Sequence, residues 1–212
     1  MNILILATRN KGKKKEIKQL LKDQDISIKD LDDFGPIPKI EEDGASFDEN
    51  AYKKASFVSR ILGHPAMADD SGLVVEALNG EPGIYSARYA GGNATDKKNC
   101  EKLIRKLKGI KNRKAVFECV ISIAVPTGAA LTYEGRCEGI ILDKPAGENG
   151  FGYDPFFYYP DLNKTFAEVS MEEKSRVSHR GRALQEVKDE FDKILQWINL
   201  NMPIFEKIQC KL

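Results

Sequence analysis

Ile3-Leu4-Ile5-Leu6-Ala7, running into Thr8-Arg9-Asn10-Lys11-Gly12-Lys13-Lys14-Lys15, is the stretch that decides the fold class. A continuous apolar run rich in Ile and Leu reads as a strand covered on both faces, because a strand wet on one side alternates apolar and polar positions. The polar segment behind it gives way to Ile17, Leu20 and Leu21 at helical spacing. Doubly covered strand, cationic loop and helix together make an α/β unit.

Ser46-x-x-Glu49 is a capping-box pattern ahead of the apolar stripe Phe47, Ala51, Ala55, Val58 and Leu62, a second helix that Pro65 closes. Ala66-Met67-Ala68 and Leu73-Val74-Val75 read as two short strands around a tight Asp69-Asp70-Ser71-Gly72 turn. Thr95 or Asp96 caps a third helix, with Leu103, Ile104 and Leu107 inside and Gly109 as its stop. Val116 to Val125, Ala129 to Tyr133 and Cys137 to Leu142 are β-rich, and Pro126-Thr127-Gly128 signals an antiparallel hairpin. A Gly-rich loop from Ala146 to Asp154, a short strand near Phe156 to Tyr158 and an acidic segment at Glu172-Glu173-Lys174 follow. The chain then enters one long helix capped by Ser178, with Leu184, Val187, Phe191, Ile194, Leu195 and Ile198 on its buried face. No linker or repeat divides it, so residues 1–212 read as a single α/β domain with a mixed sheet and one chemical cleft.

Lys plus Arg number 33 and Asp plus Glu 32, a formal charge of +1, so no global electrostatic reason exists to expect nucleic acid or a membrane surface. Any basic site must be local. Cys100, Cys119, Cys137 and Cys210 are dispersed, and with His64 and His179 they form no zinc spacing; they read as buried free thiols in a reducing compartment. The opening apolar run is too short for a signal-peptide core, and no stretch approaches the roughly 20 apolar residues of a membrane span. The expectation is a soluble, cytoplasmic protein.

Four constellations carry chemistry. The Thr8 to Lys15 loop feeds a helix N-terminus, whose unpaired N–H groups and positive dipole end suit an anion, most often phosphate. Glu41-Glu42-Asp43 and Asp69-Asp70 are oxygen donors of the kind Mg²⁺ takes in ones and twos beside water and phosphate. Gly147-Glu148-Asn149-Gly150-Phe151-Gly152-Tyr153-Asp154-Pro155 has the wrong order for a dinucleotide fingerprint, yet glycines around Phe151 suit a ring that stacks on a base. Lys174, His179, Arg180 and Arg182 gather donors at the start of the last helix, with no Ser or Cys nucleophile motif beside the histidine.

Taken together, these stretches resemble the inosine triphosphate pyrophosphatase family. The resemblance runs through Thr8-x-Asn10-x-x-Lys13, Glu42-x-Gly44-x-x-Phe47-x-Glu49-Asn50-Ala51 with Lys54-Ala55, Asp69-Asp70-Ser71-Gly72-Leu73, Gly83-Ile84-Tyr85-Ser86-Ala87-Arg88-Tyr89, Phe151-Gly152-Tyr153-Asp154-Pro155 and Ser178-His179-Arg180. It implies a long mixed β-sheet flanked by helices, two lobes around a central cleft, and a homodimer. It implies Mg²⁺-dependent hydrolysis of XTP, dITP and ITP to the nucleoside monophosphate and pyrophosphate, acting on a small-molecule nucleotide rather than nucleic acid.

By that resemblance Thr8, Arg9, Asn10, Lys11, Gly12 and Lys13 bind the triphosphate, Glu41 and Asp70 hold the metal, Asp70 activates water and Ser71 touches substrate. Phe151 stacks on the purine within the Phe151-Gly152-Tyr153-Asp154 loop, and Asp154, Lys174, His179 and Arg180 read its edge. A cationic His179-Arg180 pair meets the C6 oxygen of hypoxanthine or xanthine and leaves adenine's amino group unmatched. Two other readings stay open on the residues alone: a house-cleaning pyrophosphatase for pyrimidine or other modified nucleotides, and a nucleotide-binding module without turnover. Which of Glu41, Glu42, Asp69 and Asp70 serve as ligand or as base is likewise open.

Overall fold

A computed structural model of the chain describes residues 3–38 and 40–203; Cys210 lies outside them. In chain order it has β1 (Ile3–Leu6), α1 (Lys11–Leu20), β2 (Ser27–Asp30), α2 (Phe47–Leu62), β3 (Ala66–Val75), α3 (Asp96–Lys106), β4 (Lys114–Ala124) and β5 (Ala130–Ile141). Then come β6 (Phe157–Tyr159), β7 (Lys164–Thr165), α4 (Met171–Val177), α5 (His179–Asp189) and α6 (Phe191–Asn201), with a 3-10 segment at Gly83–Arg88 after β3. The strands form one mixed sheet in the order β2-β1-β3-β4-β5-β6-β7, parallel through β2, β1 and β3 and antiparallel from β3 onward.

β1 is covered on both sides, as its composition requires. Leu4 and Leu6 pack with Ile17 of α1, Leu184 of α5 and Ile194 of α6, while Ile5 and Ala7 pack with Ala55 and Val58 of α2. Farther along the sheet, Leu73, Leu103, Phe117, Phe157 and Phe166 share a third cluster under α3. The long strands β3, β4 and β5 span both regions, leaving a cleft between the α1/α2 lobe and the α3 lobe. Among the described residues no helix is long and apolar enough to cross a membrane.

Helix starts follow their caps. Asn10, Ser46, Thr95 and Ser178 each accept a first-turn N–H in the side chain. At α2, Glu49 reaches back to the Ala45 N–H at 2.8 Å, one residue before the cap, and Gly63 at φ 68 ends the helix ahead of Pro65.

Three expectations need correction. Asp69-Asp70-Ser71-Gly72 is no turn but the middle of a continuous ten-residue β3. Every residue of this run pairs with β4, from Asp69 opposite Ile121 to Gly72 opposite Glu118, and that ladder outweighs the local turn preference of Asp and Gly. Gly72 is needed for close approach: a Cβ there would lie 2.4 Å from the Gly83 carbonyl and the Ser86 hydroxyl. Next, the runs at 129–133 and 137–142 merge through Gly135 into one strand, β5. Finally, the long last helix is two, α5 and α6, and the acidic segment before it is a helix of its own. The acidic segment is α4 behind a Ser170/Glu173 capping box, and α5 stops before Glu190. Leu184, Val187, Phe191 and Ile194 still share one cluster, which is why their spacing conceals the break.

Gly135 lets α5 lie directly on β5, since a Cβ at that position would stand 2.1 Å from the His179 carbonyl oxygen. Gly135→Ala is therefore expected to cost about 1–3 kcal/mol in urea unfolding, as forced overpacking does. An unchanged midpoint would contradict this packing.

Candidate active site

A cavity of about 670 Å³ opens between the lobes. Thr8, Arg9, Asn10, Lys13, Glu41, Asp70, Ser71, Phe151, Gly152, Tyr153, Asp154, Lys174, His179 and Arg180 all line it; Lys11 and Gly12 are not among its lining residues. A wider groove of about 840 Å³ beside α1, β5 and α5 is lined by none of the buried charged groups described below.

The lysine run that opens α1 divides by direction. Lys13 turns inward, its Nζ 3.1 Å from Asp69, while Lys14 turns aside to Asp30 and Asp32. Asn10 accepts the Lys13 N–H at 3.1 Å, so its carboxamide oxygen serves the cap, and the Asn10 N–H donates to Thr8 Oγ1 at 3.2 Å. The N–H groups of Lys11 and Gly12 remain as the donors of a helix N-terminus.

Because successive strand residues point to opposite faces, β3 sends its two aspartates to different neighbours. Asp69 and Ser71 share the α1/α5 face. Asp69 Oδ2 is the meeting point of Lys13, Ser71 Oγ at 3.2 Å and Arg180 Nε at 3.1 Å. Burial alone would raise the Asp69 carboxyl, but Lys13, Arg180 and Lys54 outweigh it and hold the group well below the usual carboxylate range.

Asp70 faces α2. Its Oδ1 accepts Lys54 Nζ at 2.7 Å, and the same ammonium donates to Glu42 Oε1 at 2.8 Å. Burial pushes the Asp70 carboxyl above its ordinary value despite Lys54 and Lys13. The acidic loop at 41–44 is tied down from two directions: Arg88 donates to the Glu42 carboxylate at 3.1 Å and to the Glu42 carbonyl at 2.8 Å, and Asn50 Oδ1 accepts the Gly44 N–H at 2.9 Å.

Among the described residues no three His, Cys, Asp or Glu side chains converge as a metal-ion set. A hard divalent cation asks for less: one or two carboxylates, with waters and substrate oxygens completing six. Asp70, bonded through one oxygen to Lys54, and Glu41, exposed at the rim of the same cavity, supply oxygen donors of that kind and number. The donor set fits such an ion.

At the other end, Glu16 of α1 is buried between two cations. Its carboxylate accepts Lys174 Nζ at 3.2 Å and Arg180 Nη1. Burial would raise Glu16, but Arg180 and Lys174 pull it below its ordinary value. Arg180, only 2% exposed, also reaches Asp69 and Ser71 Oγ at 2.8 Å. Its fork thus knits α1, β3 and α5 together, which leaves little of it for a ligand.

Lys174 donates to Asp154 Oδ2 at 2.6 Å, and burial holds Asp154 above its ordinary value. The expected cationic His179-Arg180 pair is corrected. His179 is buried and stacked on Phe117 at 4.6 Å, and burial together with the charges of Arg180 and Lys174 holds its pKa well below the ordinary value, so the imidazole is neutral. A neutral ring offers one donor and one acceptor nitrogen. Phe151 is half-buried, with Lys174 Nζ 4.7 Å from its centroid.

Several residues of the site carry no substrate, metal or catalytic role in the sequence reading. Lys54 sits among Ala51, Ala55 and Val58 on the apolar stripe of α2, and a lysine on such a stripe is a signal that periodicity can reveal. Glu16 beside Ile17 in a lysine-rich helix is a fainter one. Asp96 and Phe117, which also line the cavity, give no local signal.

The Ham1 family model matches residues 4–190. A dITP/XTP pyrophosphatase of Syntrophobacter fumaroxidans is 59% identical over 197 residues, covering 93% of this chain and 85% of that protein. One from Desulfotalea psychrophila is 60% identical over 196 residues, covering 92% of this chain and 88% of its own length. Among solved structures, a HAM1 protein from Coxiella burnetii superposes with a TM-score of 0.85 at 42% identity, covering 91% of this chain and all of that one.

Proposed function

The chain belongs to the Ham1 family, and from that premise we propose that it is a hydrolase that converts XTP, dITP and ITP to the nucleoside monophosphate and pyrophosphate. The observation that carries this reading is one cleft joining a cationic helix N-terminus, the buried Asp70-Lys54-Glu42 group and an aromatic, cation-rich end. Each part matches one part of such a substrate.

The geometry supports the following residue roles. The N–H groups at Lys11 and Gly12 and the ammonium of Lys13 face the triphosphate, a charge-spread group whose transfer depends mainly on positioning and electrostatics. Glu41 and Asp70 hold Mg²⁺, which when bound neutralises charge on the phosphate oxygens. Asp70 orients and deprotonates the attacking water, with Lys54 fixing its carboxylate. Ser71, held by Arg180, borders the reacting end. Phe151 stacks on the purine, while Lys174, Asp154 and neutral His179 meet its polar edge. Arg180 acts mainly by holding Asp69, Ser71 and Glu16 in register. We place the protein in the cytoplasm as a homodimer; its three described cysteines, buried free thiols, suit a reducing compartment.

The test is a panel of nucleoside triphosphates with Mg²⁺ and identification of the products. Pyrophosphate from XTP, dITP or ITP, with little from ATP or GTP, is the expected result. Orthophosphate as the product, or preference for a pyrimidine, would remove the reading.

A further inference from the structure

Phe151 stands between two glycines in the left-handed region, Gly150 at φ 76 and Gly152 at φ 63. Backbone of this kind imposes no ring direction of its own, so contacts from elsewhere must aim the side chain. On the upstream side, the Asn149 N–H donates to the Ala167 carbonyl at 2.9 Å and the Asn149 carboxamide to the Val169 carbonyl at 3.3 Å. On the downstream side the grip comes from α3: the Gly152 N–H donates to Asp96 Oδ2 at 2.7 Å, and the Gly152 carbonyl accepts the Cys100 thiol at 3.4 Å. Asp96 and Cys100 are four residues apart, one turn along the same helix face. Both polar groups of one glycine are therefore held by successive turns of one helix.

The consequence reaches across the cleft. With Gly152 held, the Phe151 ring rests on Gly12 of α1, where a Cβ would lie 2.6 Å from the ring carbons. Neither Asp96 nor Cys100 belongs to the triphosphate, metal or base-edge groups, yet they hold the residue next to the ring, while Asp154 accepts the Phe151 N–H itself at 2.9 Å. Asp96 is the stronger holder, since a charged acceptor at 2.7 Å outweighs a thiol donor.

Resting on the nucleotide reading above, we propose that Asp96 is a positioning residue for purine recognition, acting through Gly152 to hold the Phe151 ring against the base. The experiment measures binding of IMP and of pyrophosphate to the full chain and to Asp96→Ala, Phe151→Ala, the double variant and Asp96→Asn. Asp96 is exposed in the first turn of a helix capped by Thr95, so replacement leaves the cap intact.

Asp96→Ala is expected to weaken IMP about tenfold, as loss of a charge-assisted hydrogen bond does, and to leave pyrophosphate within about twofold. In the Phe151→Ala background the same change is expected to alter IMP by less than about twofold, the non-additivity of residues acting through one another. Asp96→Asn keeps an acceptor oxygen and restores most of the affinity. Equal losses for IMP and pyrophosphate, full additivity with Phe151→Ala, or an Asn variant as weak as the Ala variant would each overturn the proposal. Wild-type protein that binds no purine nucleotide would instead overturn the reading on which it rests.

Discussion

Asp70→Asn is expected to lower kcat on ITP by about 10²- to 10⁴-fold, the usual contribution of a positioned general base, with little change in IMP binding. The substitution preserves shape and an oxygen that can accept Lys54 Nζ, now 2.7 Å from Asp70 Oδ1, so the loss isolates proton acceptance and metal ligation. Asp69→Asn should differ in kind. That carboxylate is the shared counter-charge of Lys13 and Arg180, so weakening it is expected to lower thermal stability along with turnover. Steady-state kinetics and unfolding on the two variants separate the roles. If Asp69→Asn abolished turnover at unchanged stability while Asp70→Asn stayed active, the assignments would have to be exchanged.

Arg180→Ala is expected to destabilise the protein by about 3–5 kcal/mol, as removal of one partner from a buried ion cluster does. Glu16 would keep Lys174, and Asp69 would keep Lys13, but each would lose its closest guanidinium contacts. The deficit carries a pH signature through Glu16. In the wild type this carboxyl is held below its ordinary value of 4.5, so its contribution is complete above that pH and fades as pH falls through the lowered value. Without Arg180 the Glu16 pKa rises relative to the wild type, because burial is then opposed by Lys174 alone, so the variant sheds part of its penalty by protonating at a higher pH. The stability gap between wild type and variant should therefore be widest near neutrality and narrow below about pH 4.5. Chemical denaturation across pH measures it directly, and a gap that widened on acidification would refute the buried-cluster account. A preference for ITP over ATP retained in the folded fraction would confine Arg180 to this structural tie.

Where local chemistry and tertiary packing agree, the sequence was legible. Ser46, Thr95 and Ser178 cap helices because a hydroxyl beside free N–H groups has the same use in any fold, and the α2 stripe was readable because one face of one helix suffices to define it. Legibility ended where a partner distant in sequence decides. Asp69-Asp70-Ser71-Gly72 has the composition of a turn, and β4, some fifty positions later, holds it extended. Phe191 continues the spacing of Leu184 and Val187, yet the chain breaks at Glu190 without leaving the core. Buried charges were the hardest to read, since Glu16 meets Lys174 and Arg180 only across more than 150 positions of chain.

The sequence by itself determined the α/β class, the doubly covered first strand, the polar cationic start of the first helix and much of the cleft's set of carboxylates, cations and aromatic residues, though not the place of Lys54, Glu16, Asp96 or Phe117 in it. These depend on residue type and near-neighbour spacing, which the chain carries locally. Only the tertiary structure decided which group is charged and which is spent. Strand alternation separates Asp69 from Asp70, giving one to Lys13 and Arg180 and the other to Lys54. Burial beside two cations leaves His179 neutral, and three acceptors occupy Arg180. Charge state depends on burial and on partners brought close by folding, and neither is a property of residue type alone.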